Sequence, residues 1–223
     1  MSEYEDSVAV LTAELAAVEA CIGSVPTDDW ARPTRLEPFD QTTPPWTVKE
    51  LVAHIDISIG LTAALLGSAQ AGQPGRDRVS FFIANRSEVA PVVYDYARRL
   101  AAEHSPESLA EKVAATFAAT TKGAADSTAD LIGSGFFALM RLDEWVPTRT
   151  VEAVVHGLDL TNALGRDPIA TPAGTAVTAA IIDELLARRT VAGRPPDLSD
   201  DLAFIKAASG RGAHPDPRFP LIV

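Results

Sequence analysis

The chain has 223 residues, 47% of them hydrophobic, a length that suits one domain, or one domain with an appendage, and that can bury a core without covalent staples. A formal net charge of −11, with no local basic run to offset it, excludes nucleic acid as a partner. A single cysteine, Cys21, excludes an internal disulfide and any Cys-based zinc motif, and points to a reducing compartment.

The first segment, MSEYEDSVAV, is acidic and has neither the basic start nor the apolar run of a signal peptide. No stretch reads as a membrane span, so a cytoplasmic protein without a membrane partner is expected. Val8, Leu11, Leu15, Val18 and Ile22 recur at spacings of three and four, which predicts a helix from Glu3 to Ile22. Cys21 sits on that helix as a small buried hydrophobe. WARPTRLEPFDQTTPPW is Pro-rich and reads as a loop.

Thr47 and Glu50 form a capping-box signature for a second helix, with Val48, Leu51, Val52, Ile55 and Ile59 as its apolar stripe and Gly67 near its end. A third helix is predicted over Phe82 to Ala102, with Val89, Val93, Tyr96 and Leu100 inward. Ser105-Pro106 reads as a cap and first turn of a fourth, carried by Leu109, Val113 and Phe117. GFFALM, from Gly135, fits either a short helix or a buried extended piece. Pro147 fits the first position of a fifth helix and Gly165 its end. Thr171-Pro172 opens another helix, and a short one is expected near Asp200 to Ala208. The pattern is that of an all-α bundle, residues 1–165, followed by a C-terminal helix and docked tail, 166–223, as part of the same domain.

The fifth helix carries Arg149, Glu152, His156 and Asp159 three, four and three residues apart, which places them on one strip. That strip is either a solvated face or half of a metal site. Glu152 and His156, four apart, can reach one ion, although such pairs also arise on exposed helices. His54 lies beside Leu51, Ile55 and Ser58, at or next to the core. It is either a hydrogen-bonded core histidine or a ligand donated from a facing helix. Asp56 and Asp159 could each accept an imidazole N–H, with a solvated face the plainer reading for Asp56. Arg149 suits a bidentate grip on a substrate carboxylate, or an ion pair with Glu152. His104 and His214 read as exposed. No Walker A, G-x-G-x-x-G or G-x-S-x-G motif is present.

PPWTVKELVAHI, RTVEAVVHGLDLTNALG and the closing AASGRGAHPDPRFPL resemble, in order and separation, the hallmark segments of the DinB-like superfamily, and most closely its mycothiol-dependent maleylpyruvate isomerase family. The resemblance implies a four-helix bundle with additional helices and a divalent metal, usually zinc, near one end. It implies His54, Glu152 and His156 as the metal ligands, with Arg149 and Arg211 as candidate substrate-binding arginines. The chain ends soon after the closing segment and is expected to lack the isomerase's separate C-terminal domain.

The function expected from this is a metal-dependent enzyme with a mycothiol-like thiol as nucleophile, acting as an S-transferase or thiol-assisted isomerase on a small electrophile. Arg149 and Asp159 are its catalytic candidates, Asp159 by orienting an imidazole. The alternative is a metal- or thiol-binding helical protein without turnover, a sensor or partner-binding module. The partners expected are a small thiol and its electrophile, with a homodimer left open.

Overall fold

Side-chain caps start three of the helices where the sequence places them. Thr47 and Glu50 exchange the two bonds of a capping box, Glu50 N to Thr47 Oγ1 at 3.2 Å and Thr47 N to Glu50 Oε2 at 2.7 Å. Ser105 accepts from Ser108 N, and Thr171 from Gly174 N, each ahead of a proline in the first turn. In the computed structural model, which describes residues 2–36, 43–83, 90–135 and 138–222, the elements are α1 (Glu3–Gly23), α2 (Val48–Gly67), α3 (Ala90–Glu103), α4 (Pro106–Ala125), β1 (Ile132–Ser134), β2 (Leu139–Arg141), α5 (Leu142–Leu164), α6 (Pro172–Arg189) and α7 (Asp201–Ala208).

The fold is an all-α bundle. α1, α2, α4 and α5 pack on one another, α3 lies against α2, α6 against α5 and α1, and α7 against α6. The predicted stripes are buried: Leu11, Leu15 and Val18 of α1, Leu51, Val52, Ile55 and Ile59 of α2, and Leu109, Val113 and Phe117 of α4. Each such side chain removed from water contributes about 1.5–3 kcal/mol, which is why the three-four spacing decides the packing. α2 meets the length and apolarity of a membrane span by itself, contrary to the reading from sequence, but half of that span is buried inside the fold (50%) against α3, α4 and α5.

Three elements differ from expectation. The third helix begins at Ala90; Phe82 belongs to a separate 3-10 turn, Ser80–Ile83, and Val89 lies outside the described residues. On α3 it is Tyr94, not Tyr96, that turns inward: Tyr94 stacks on Trp46 with centroids 4.2 Å apart, and Tyr96 is exposed. The end of GFFALM is extended, as β2 pairs antiparallel with β1 in a hairpin. Gly133 lets that hairpin touch α2, since a Cβ there would collide with the Leu65 carbonyl.

α5 starts at Leu142, leaving Pro147 inside the helix. Tertiary contacts set that start. Leu142 N donates to Leu131 O at 2.8 Å, Asp143 N to Ala129 O at 3.0 Å, and the fully buried Trp145 donates its indole N–H to Thr62 Oγ1 at 3.0 Å. They offset the bond that proline cannot make. The helix ends as expected at Gly165, whose φ of 66° is left-handed. α5 is thus buried on nearly every side, so its ionisable strip is not a solvated face.

Candidate metal centre

α2 and α5 face each other, and their polar residues meet at one point. His54 from α2 and His156 from α5 bring their Nε2 atoms to 3.1 Å. Glu152, one turn before His156, places Oε2 3.3 Å from the same His156 Nε2. The ligand atoms of His54, Glu152 and His156 all lie within 4.8 Å of one another, and all three residues are half-buried. Two nitrogens held about 2.0–2.1 Å from one tetrahedral ion are about 3.3–3.4 Å apart, close to the separations seen here, so the donor set fits a divalent cation.

The protonation pattern favours the same reading. His156 Nδ1 lies 3.0 Å from Asp159 Oδ2. Asp159 is 4% exposed, and Arg211 grips it with two bonds, Nε to Oδ1 at 2.8 Å and Nη2 to Oδ2 at 2.7 Å. Burial pushes the Asp159 carboxyl up, but the bonds from His156 and Arg211 outweigh it and hold its pKa low. An ionised Asp159 only accepts, so His156 carries its proton on Nδ1 and turns the Nε2 lone pair toward His54 and Glu152. Burial pulls the pKa of His156 down, yet the bonds to Asp159 and Glu152 outweigh that pull and raise it.

Around this cluster, the Trp46 ring sits 4.8 Å from the His54 ring, and Ser58 Oγ donates to Glu152 Oε2 at 3.1 Å. Arg149 is only 1% exposed; its Nη1 donates to the Ser58 carbonyl at 2.8 Å and hydroxyl at 3.1 Å. Its guanidinium carbon lies 4.2 Å from the Trp145 ring centroid.

The plainer reading of Asp56 is corrected: it is buried and takes bonds from Thr116 Oγ1 at 2.6 Å and Lys112 Nζ at 3.1 Å. Those partners tie α2 to α4, so Asp56 is no solvated group. His214 is likewise not exposed; its Nε2 lies 3.1 Å from Asp197 Oδ2, and its Nδ1 accepts from Asp216 N at 3.2 Å. Cys21 is buried as expected, and burial raises its thiol pKa despite the nearby Arg166. Ser58 carried no signal of its own in the sequence beyond its place next to His54. Arg211 stood out only as a candidate for substrate, not as the holder of Asp159.

An all-α bundle with two imidazoles and a carboxylate meeting between facing helices agrees with the DinB-like class. The family described as "Mycothiol maleylpyruvate isomerase N-terminal domain" matches residues 11–161, more than half of the chain, and the chain belongs to that family. No curated protein and no solved structure matches it.

Proposed function

We propose that this chain is a divalent-metal enzyme that uses a low-molecular-weight thiol, of the mycothiol type, as nucleophile toward a small electrophile, by S-transfer or thiol-assisted isomerisation. The observation that carries this reading is the convergence of His54, Glu152 and His156 within 4.8 Å in a chain of the mycothiol family.

His54 and His156 would hold the ion with neutral nitrogens, and Glu152 would add one negative charge; zinc suits such a set. A bound cation supplies the Lewis acidity that keeps a thiol as thiolate near neutral pH. Asp159 holds the Nδ1 proton of His156, so that Nε2 stays free to donate. Arg211 keeps Asp159 ionised and in place, which supports reading the 166–223 segment as part of the same working unit. Trp46, stacked on Tyr94 and packed against the His54 ring, keeps water from that side.

Among the described residues three side chains converge, one fewer than a closed structural zinc site takes. That favours an open coordination position, and therefore turnover, over a purely structural or sensing role. The test is consumption of mycothiol, or a soluble thiol in its place, with a panel of electrophiles. Metal-dependent thiol loss supports the reading; a metal-loaded protein inert toward every pair would leave the binding module in its place.

A further inference from the structure

Arg149, Ser58 and Glu152 form a hydrogen-bonded chain in which the direction of every proton is determined. A guanidinium only donates, so Ser58 accepts from Arg149 Nη1 at both its carbonyl and its hydroxyl oxygen. The hydroxyl keeps one hydrogen. The neighbour that needs it is Glu152 Oε2 at 3.1 Å, and a carboxylate only accepts. Oε2 is also the oxygen that lies 3.3 Å from His156 Nε2.

We propose that Ser58 and Arg149 are positioning residues for Glu152, acting through this chain, and that Arg149 is not a receptor for a substrate carboxylate. This rests on the reading of His54, Glu152 and His156 as a metal site. The burial of Arg149 supports it. The side chain is 1% exposed, its Nε donates to Thr148 Oγ1 at 3.1 Å, and its guanidinium lies against Trp145 and, with its carbon 5.0 Å from the ring centroid, against Phe81. A group so enclosed meets no substrate. Its charge instead polarises the Ser58 hydroxyl, and charge-assisted bonds are about twice as strong as neutral ones. Glu152 has three rotatable torsions, and a fixed donor on Oε2 removes the freedom that metal binding would otherwise have to remove.

The experiment is a competition titration of the metal-free full chain with Zn2+ against a chromophoric chelator, on wild type, Ser58→Ala, Ser58→Thr and Arg149→Lys, with helical content followed by circular dichroism. Ser58→Ala leaves the residue 58 carbonyl for Arg149, so the α2–α5 tie persists and only the hydroxyl is lost. Zn2+ affinity should drop about 10- to 100-fold in Ser58→Ala at unchanged helical content and recover in Ser58→Thr, while Arg149→Lys, which cannot reproduce the fork, should also weaken it. Wild-type affinity in Ser58→Ala overturns the proposal, as does a loss that only follows lost helical signal. A wild-type chain that binds no Zn2+ overturns the metal reading itself, and the proposal falls with it.

Discussion

His54 and His156 reach the α2–α5 interface from residues 102 positions apart and set their Nε2 atoms 3.1 Å from each other. With the Nδ1 proton of His156 held by Asp159, that meeting point is rich in lone pairs. A proton or a cation can occupy it, and the two compete. The expected behaviour of the protein follows from that competition.

Removing one imidazole tips it. His156→Ala is expected to abolish metal binding and thiol-dependent activity while the bundle stays folded, since Val151, Val154, Val155 and Leu158 pack α5 without it. Asp159→Asn is expected to weaken metal binding by about 10- to 100-fold rather than abolish it, because only the orientation of His156 is lost. Bound metal and circular dichroism check both. Stoichiometric metal in His156→Ala would remove that residue from the ligand set; loss of all helical signal would make the site structural.

Metal-free and metal-loaded protein are expected to respond to pH in opposite directions. The folded pKa of His156 is raised, so in metal-free protein its contribution to stability is fully present below the unfolded value of about 6.5 and is lost as pH rises through the folded pKa. A metal needs the neutral ring, so affinity should begin to fall, on acidification, above the ordinary histidine range. Thermal melts of chelator-treated and Zn2+-loaded protein between about pH 5.5 and 8.5 measure this. Parallel slopes for the two forms would contradict it.

Arg211 ties the closing segment to the site across 52 residues of sequence. Arg211→Ala should leave Asp159 buried with half its hold gone, and metal affinity should fall by at least about tenfold. Arg211→Lys, a single point charge in place of a fork, should recover it only in part. Affinity equal to wild type in Arg211→Ala would show that Asp159 needs no second partner.

Gly133→Ala should destabilise the fold by about 1–3 kcal/mol, the range of an overpacked contact, because the atoms nearest the new Cβ are the backbone carbonyl of Leu65, which cannot swing aside as a side chain can. Chemical denaturation of the metal-free protein measures it. A change under about 0.5 kcal/mol, the scatter of neutral surface substitutions, would show that the hairpin shifts freely on α2.

Local signals carried the helices. The Thr47–Glu50 box, the Ser105-Pro106 and Thr171-Pro172 starts and the Gly165 end are properties of a few neighbouring residues, and the structure has them where the sequence puts them. The set His54, Glu152 and His156 came from the resemblance; spacing alone left Glu152 and His156 as either a solvated pair or half a metal site, and His54 as either a core histidine or a ligand, because their meeting joins two helices distant in sequence. Contacts between distant segments were not legible. Pro147 suggested a helix start, but hydrogen bonds to Ala129 and Leu131 and the burial of Trp145 extend α5 past it. Asp56 resembled a surface carboxylate because Lys112 and Thr116, its partners, lie on another helix. Arg149 read either as a grip on a substrate carboxylate or as an ion-pair partner of Glu152, because neither its burial nor the Ser58 hydroxyl has a trace in spacing or composition.

The most direct test of the account is elemental analysis of the purified full chain, beside a His54→Ala variant that keeps α5 intact. One divalent ion per wild-type chain, absent from His54→Ala at equal helical content, is the result expected. A wild-type protein that takes up no divalent metal, or a His54→Ala protein that holds as much as wild type, would contradict it.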